Sequence, residues 1–171
     1  MRLESDRRYC FSADPDQVWE ALRCVDDYRS WWPWLDEFDT TQAATTGTQK
    51  PGTGATGALA PGTVLRCSVR SPIQIVLRFT ITLEVVTDPS RIAATVTGDL
   101  VGPASLTILP RTAGGSEIRL TSALAAPRST VLGMLMGVAP PLAKWAHDHL
   151  LDTAARQFEQ AVAAGVTDQG R

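Results

Sequence analysis

One segment of the sequence, residues 73 to 85, has a large apolar side chain at every second position. These residues are Ile73, Ile75, Leu77, Phe79, Ile81, Leu83 and Val85. Successive side chains of a β-strand point to opposite sides, so this spacing predicts a long strand with one wholly apolar face. The other face is mainly polar, interrupted by Val76 and Val86, and we expect it to meet water, as antiparallel sheets allow.

Shorter alternating segments predict further strands before and after this one. They cover residues 7–12, 35–41, 62–70, 92–100, 104–109 and 117–125. The last two are joined by a turn that contains Gly114 and Gly115, which predicts a hairpin. The pattern therefore predicts about six or seven antiparallel strands.

Two short helices are predicted after the first strand. Asp14 suits the N-cap of a helix over residues 15–24, with Pro15 at its first position and Gln17 at its third. A second helix starts at residue 26 or 27 and ends at Trp32, before Pro33. The cluster of Trp31, Trp32 and Trp34 has two interpretations, an aromatic corner that seals the sheet or the lining of a ligand entrance.

The last long helix is predicted from Pro141 to about residue 164, after a separate turn or short helix over residues 129–138. One stripe of it carries Ala143, Ala146, Leu150, Ala154, Phe158 and Ala161, and the opposite side carries Asp148, His149, Asp152, Arg156 and Glu159. Alanines at the points of closest approach leave volume between helix and sheet, which predicts a pocket. His147 points into this stripe, either as a buried imidazole bonded to a carbonyl or hydroxyl or as a group that orients or protonates a ligand.

Length and composition favour one globular domain over residues 1–171, with 44% hydrophobic and 20% charged residues. The Gly- and Thr-rich residues 42–61 are predicted to form a flexible loop, and residues 166–171 a disordered tail. The net charge of −2 disfavours nucleic acid as a partner. No apolar run reaches the length of about 18 residues that a membrane span needs, and no signal peptide is recognisable, so we expect a cytoplasmic protein without integral membrane association.

Metals and cofactors are not expected. Cys10, Cys24 and Cys67 lack zinc-site spacing, and the chain has 2 histidines. The three thiols are predicted to be buried or half-buried.

Several short motifs resemble those of a known superfamily. They are residues 11–19 (FSADPDQVW), Asp27 with residues 31–33 (WWP), residues 96–100 (VTGDL) and the Gly114-Gly115 pair. With the order of predicted elements, they resemble the SRPBCC superfamily, which includes StAR-related lipid transfer domains, the birch-pollen allergen and polyketide cyclases/dehydrases. Residues 145–148 (WAHD) are similar to a motif of the polyketide cyclase-like branch. The resemblance implies an α+β helix-grip fold, in which a curved antiparallel sheet wraps around a long C-terminal helix.

The resemblance also implies a cavity between sheet and helix, and the inward faces predict its lining. The predicted ligand-binding residues are Tyr9, Phe11, Trp32, Leu65, Cys67, Leu77, Phe79, Ile81, Val96, Leu106, Leu120, Ser122, Ala143, His147, Leu150 and Ala154. His147 and Tyr9 are the candidates for a catalytic role, although no polar candidate in this set forms a recognisable pair with a carboxylate. The sequence leaves open whether the protein is an enzyme.

Three functions fit these features. The first is a carrier or sensor that binds a lipid, polyketide or isoprenoid-like molecule, as a monomer or homodimer. The second is a cyclase, aromatase or dehydratase that acts in the same cavity. The third is a protein- or membrane-contact module that uses the tryptophan cluster and the apolar residues 131–138, although that segment also fits a strap packed over the end of the sheet.

Overall fold

The computed structural model describes residues 2–42 and 59–169. Its strands are β1 Arg2–Phe11, β2 Leu35–Gln42, β3 Thr63–Arg70, β4 Val76–Thr87, β5 Arg91–Gly98, β6 Gly102–Pro110 and β7 Ser116–Ala125. Its helices are α1 Pro15–Arg23, a 3₁₀ turn Val25–Asp27, α2 Tyr28–Trp31, α3 Val131–Val138 and α4 Pro140–Gln169. The predicted flexible loop falls largely on residues 43–58, which lie outside the described residues.

The strands form a single curved sheet in the order β1-β7-β6-β5-β4-β3-β2, with every neighbouring pair antiparallel. Consecutive strands from β2 to β7 are neighbours, and β1 joins the sheet beside β7. The sheet and the long last helix confirm the predicted α+β helix-grip fold.

Helix α1 begins as its sequence predicts. The side-chain Oε1 of Gln17 accepts a hydrogen bond of 3.0 Å from the backbone N–H of Asp14, and Pro15 occupies the first turn. The next predicted helix is instead divided into the 3₁₀ turn and the four-residue α2, which ends at Trp31.

The long alternating segment departs from its prediction at both ends. β4 starts at Val76, because residues 71–75 form a turn in which Gln74 has a φ of +62°. Near the other end a β-bulge between Leu83 and Val85 reverses the alternation. Val85 is therefore 46% exposed. Val86, which the pattern placed outside, packs against the core instead.

Two further boundaries were predicted wrongly. β1 begins at Arg2 and extends the first predicted strand by five residues toward the N-terminus, paired with β7 over its whole length. Helix α4 continues to Gln169, past the predicted end near residue 164 and into the segment predicted to be a disordered tail. Residues 170 and 171 lie outside the described residues.

Helix α4 is fixed to the concave face of the sheet near both of its ends. Toward its start, Ala143 belongs to a buried cluster with Leu3 and Leu124. Farther along, the ring of Phe158 packs on Phe11 with 5.6 Å between ring centroids. A third cluster of buried residues surrounds Tyr28 at the β2–β3 end of the sheet. The buried residues therefore divide into three clusters, and a cavity lies between them.

Candidate functional site

The cavity has a volume of about 350 Å³ and lies between the concave face of the sheet and helix α4. Its lining is almost entirely apolar. It consists of Leu3, Leu22, Tyr28, Trp34, Leu59, Leu65, Val69, Ser71, Ile73, Ile75, Leu77, Phe79, Ile81, Leu83, Ile92, Ala94, Val96, Leu100, Ala104, Ser105, Leu106, Leu120, Thr121, Ser122, Leu124, Leu132, Ala143, Ala146, His147, Leu150, Leu151 and Ala154. The volume falls in the range of small-molecule pockets, which is about 300–1,000 Å³.

Most of the residues predicted to bind a ligand lie in this lining. They are Leu65, Leu77, Phe79, Ile81, Val96, Leu106, Leu120, Ser122, Ala143, His147, Leu150 and Ala154. The lining also contains residues that the prediction omitted, among them Leu83, Ile92, Ala94, Ala104 and Leu124. These lie on the same inward faces of their strands, so the period-two pattern contained the signal that identifies them.

Four predicted residues lie elsewhere. Phe11 is only 2% exposed and packs in the core against Phe158. Cys67 is buried in the cluster around Tyr28. The indole Nε1 of Trp32 donates a hydrogen bond of 3.0 Å to the backbone oxygen of Ala154. The fourth, Tyr9, is partly buried against the core cluster that contains Phe11 and Phe158.

The tryptophan cluster combines both of its sequence interpretations. Trp31 packs against Phe158, with 5.4 Å between ring centroids, and helps to seal the end of the sheet. Trp34 lines the cavity, while its Nε1 donates a hydrogen bond of 2.9 Å to Oε1 of Gln157 on α4. The sequence pointed to the cluster, but the choice of Trp34 rather than Trp32 depends on how α4 lies over it.

His147 is the titratable side chain of α4 that reaches the cavity. Its Nε2 is buried and has no hydrogen-bond partner among the described residues. Burial lowers the pKa of His147, and the nearby Asp148 only partly opposes that shift. The imidazole is therefore neutral at pH 7. The predicted hydrogen bond from a buried imidazole to a carbonyl or hydroxyl is not made by Nε2.

Ser122 presents a second unpartnered polar atom to the cavity. Its Oγ is buried without a partner among the described residues, as is that of Ser5, its register partner on β1. Buried polar groups usually have a hydrogen-bond partner, so atoms of this kind in a cavity wall need an explanation.

A charged cluster flanks the cavity on the outside, between β1 and α4. Nη2 of Arg7 lies 2.8 Å from Oδ2 of Asp148, and Lys144 Nζ lies 2.7 Å from the same oxygen. The hydroxyl of Tyr9 donates a hydrogen bond of 2.8 Å to Oδ1 of Asp152. The expectation that no polar candidate pairs with a carboxylate was therefore wrong for Tyr9. Asp148 and Asp152, on the side of α4 opposite the apolar stripe, both contact β1. Tyr9 is not part of the cavity lining.

Helix α3 covers one end of the cavity and also faces outward. Leu132 and Met136 are buried, and Leu132 lines the cavity. Val131, Met134 and Val138 are exposed. The segment thus resembles the predicted strap on one side and the predicted contact surface on the other.

The cysteines are less uniformly buried than predicted. Cys67 is buried, and burial raises its pKa to about 12. Cys10 and Cys24 are exposed. Within the two described ranges, no group of three or more His, Cys, Asp or Glu side chains is arranged to hold a metal ion.

Comparisons with known proteins establish the fold. No family model and no curated protein matches the sequence. Among solved structures, the chain is similar to the Zhui aromatase/cyclase from Streptomyces sp. R1128, with a TM-score of 0.67 and 15% identity over 100% of this chain and 97% of that one. A START superfamily protein from Mycobacterium smegmatis matches with a TM-score of 0.65 and 13% identity, over 94% and 97% of the two chains.

A third similar structure is Ara h 8.0201, with a TM-score of 0.67 and 10% identity over 96% of this chain and 99% of that one. The helix-grip fold that the resemblance implied is confirmed, because these solved structures share it. In addition, none of the helices in the described part of the chain is long and apolar enough to cross a membrane.

Proposed function

We propose that this protein binds a hydrophobic small molecule, such as a lipid, polyketide or isoprenoid-like compound, in the cavity between the sheet and α4, as a carrier or sensor. The observation that carries the proposal is the apolar cavity of about 350 Å³, which the small inward side chains of α4 leave unfilled. Ala143, Ala146 and Ala154 face this space. A packed core of the same elements would contain few voids larger than a water molecule.

The direct test is native mass spectrometry of the purified protein, followed by solvent extraction. We expect a mass above that of the chain alone, lost on denaturation, together with an extractable apolar compound. A protein that carries no such compound, and that takes up none from a mixture of lipids and aromatic compounds, would contradict the proposal.

A second candidate function is a cyclase, aromatase or dehydratase reaction in the same cavity. It is favoured by His147, whose neutral imidazole reaches the cavity with an unpartnered Nε2 and can exchange a proton with a bound molecule. Tyr9, the other candidate, is bonded to Asp152 outside the lining. Turnover of a polyketide-like substrate that survives in the His147→Ala, Tyr9→Phe double variant would exclude both residues as its catalysts.

A third candidate is a contact with a membrane surface or another protein. It is favoured by exposed apolar side chains on α3 and at the start of α4, namely Val131, Met134, Val138, Leu142 and Trp145. Flotation with liposomes distinguishes this function from that of a carrier that stays in solution. The cytoplasmic location, the absence of nucleic-acid binding and the monomeric or homodimeric state remain predictions.

A further inference from the structure

The polar groups of the cavity wall divide into those with a protein partner and those without. The Tyr28 hydroxyl donates to the backbone oxygen of Leu22. Trp34 Nε1 donates to Gln157, and the Ser105 and Thr121 hydroxyls bond to each other at 2.7 Å. Oγ of Ser71 accepts from the backbone N–H of Ile75. These groups already have hydrogen-bond partners within the protein, so none of them requires a partner from a ligand.

Ser122 Oγ and His147 Nε2 differ, because both are buried in the wall without a partner among the described residues. A buried donor or acceptor without a partner costs stability, and a ligand atom that completes the hydrogen bond recovers it. The two groups would act together only if they face the same part of the cavity.

The register of the strands places them at one level. Leu3 and Leu124 are partners on β1 and β7, and both belong to the buried cluster that contains Ala143 of α4. The next inward pair is Ser5 with Ser122, which lies two residues, or about 6.7 Å, farther along the strands. His147 follows Ala143 by about one turn of α4, a rise of about 6 Å. The ion pair from Arg7, the next inward residue of β1, to Asp148 shows that strand and helix advance together.

The remainder of the wall excludes a charged ligand group. Among the described lining residues there is no Asp, Glu, Lys or Arg. A carboxylate or ammonium group in this cavity would therefore lose its hydration without gaining a counter-ion, at a large free-energy cost. The neutral state of His147 at pH 7 is consistent with this environment.

We propose that the ligand is an uncharged amphipathic molecule with a mostly hydrocarbon body, whose hydroxyl or carbonyl group binds between Ser122 Oγ and His147 Nε2. A serine hydroxyl both donates and accepts, and a neutral imidazole nitrogen does one or the other according to its tautomer, so either ligand group can be satisfied. This inference rests on the proposed binding function and specifies the chemical class of the ligand.

The test compares matched ligands by isothermal titration calorimetry: naphthalene, 2-naphthol and 2-naphthoate as one series, and 1-decanol with decanoate as another. We expect the full-length protein to bind 2-naphthol and 1-decanol more tightly than the corresponding carboxylates. Ser122→Ala and His147→Leu should each weaken 2-naphthol binding about tenfold and leave naphthalene binding unchanged. Unchanged naphthalene binding also shows that each variant is folded.

Ser116→Ala is the matched control. Ser116 lies on the same strand as Ser122, and its Oγ is likewise buried without a described partner, but it does not line the cavity. Its substitution should leave the preference for 2-naphthol over naphthalene intact. If Ser122→Ala and His147→Leu weaken both aromatic ligands equally, or if the carboxylates bind as well as the alcohols, the polar anchor is wrong while the carrier function stands. If no compound of either series binds the unsubstituted protein, the proposed function fails and the anchor with it.

Discussion

Arg7 and Asp148 connect the first strand of the sheet to the last helix. Nη2 of Arg7 lies 2.8 Å from Oδ2 of Asp148, whose side chain is 18% exposed. Burial of Asp148 by itself would raise the pKa of its carboxyl. Lys144 and Arg7 outweigh that effect and hold the pKa below its usual value. The pair lies immediately beside His147, so it fixes α4 at the position where the helix carries that residue into the cavity.

The first prediction concerns this ion pair. Arg7→Met should lower the free energy of unfolding by about 1 kcal/mol, because Asp148 keeps Lys144 but loses its cross-element partner. The measurement is urea denaturation at low and high salt. Arg66→Met is the control, since the Arg66–Asp39 pair at 3.6 Å is far more exposed and its loss should have a smaller effect. If both substitutions lower the stability equally, the Arg7–Asp148 pair contributes no more than an ordinary surface ion pair.

The second prediction fills the cavity. Ala154→Phe should abolish retention of an apolar compound and raise the thermal stability of the ligand-free protein, because the added ring occupies empty apolar space. Gln160→Phe adds the same ring at an exposed position of α4 and should leave retention unchanged. Native mass spectrometry and thermal melts of both variants provide the comparison. Full retention in Ala154→Phe would mean that the compound binds elsewhere.

The third prediction concerns pH. Burial lowers the pKa of His147 from its ordinary value of 6.5, so the unfolded chain takes up this proton more readily than the folded one. His147 therefore favours folding fully above pH 6.5, and this contribution is lost as the pH falls from there toward the lowered pKa, by up to about 1.4 kcal/mol per pH unit.

Urea denaturation between pH 7.5 and 5 should thus show a steeper loss of stability in the wild-type protein than in His147→Leu. His149→Gln is the matched control, because His149 is exposed and stacked on Trp145, and its substitution leaves the His147 contribution in place. Parallel pH profiles of stability for the wild-type protein and His147→Leu would contradict the lowered pKa of His147.

The fourth prediction uses the cysteines. At pH 8 an alkylating reagent should modify Cys10 and Cys24 in the folded protein, because both are exposed. Cys67 should react only after denaturation, since it is buried and its pKa is raised to about 12. Peptide mass spectrometry of the alkylated protein identifies the modified positions. Rapid labelling of Cys67 without denaturation would show that β3 opens more readily than its packing indicates.

The fifth prediction compares neighbouring glycines in the last hairpin. Gly114 and Gly115 have φ values of +87° and +77°. A Cβ at Gly115 would lie 2.2 Å from the backbone oxygen of Phe11, whereas one at Gly114 meets nothing within 4 Å. Gly114→Ala should therefore cost about 1 kcal/mol of stability and Gly115→Ala about 3 kcal/mol or more. If chemical denaturation shows equal losses of stability for the two variants, β1 must shift away from a Cβ at residue 115 at no cost in free energy.

Local patterns were sufficient for much of the fold. Alternation identified the strands and their inward faces, and the Asp14-Pro15 pair identified the start of α1. The spacing of alanines on the last helix indicated that its centre stands off from the sheet. Period two and period 3.6 are properties of short segments, so the sequence by itself determined these features and the direction in which His147 points.

The tertiary structure decided which of these residues meet. The bulge after Leu83 depends on pairing with β5, and it turned Val85 outward and Val86 inward. Because of the position of α4 across β1, Trp34 lines the cavity and Trp32 does not, and the Tyr9 hydroxyl bonds to Asp152. It also carried His147 and Ser122 into the wall of the same cavity. Each of these contacts joins elements far apart in the chain, and strand register and helix placement are set by the packing of the whole domain, which no local pattern encodes.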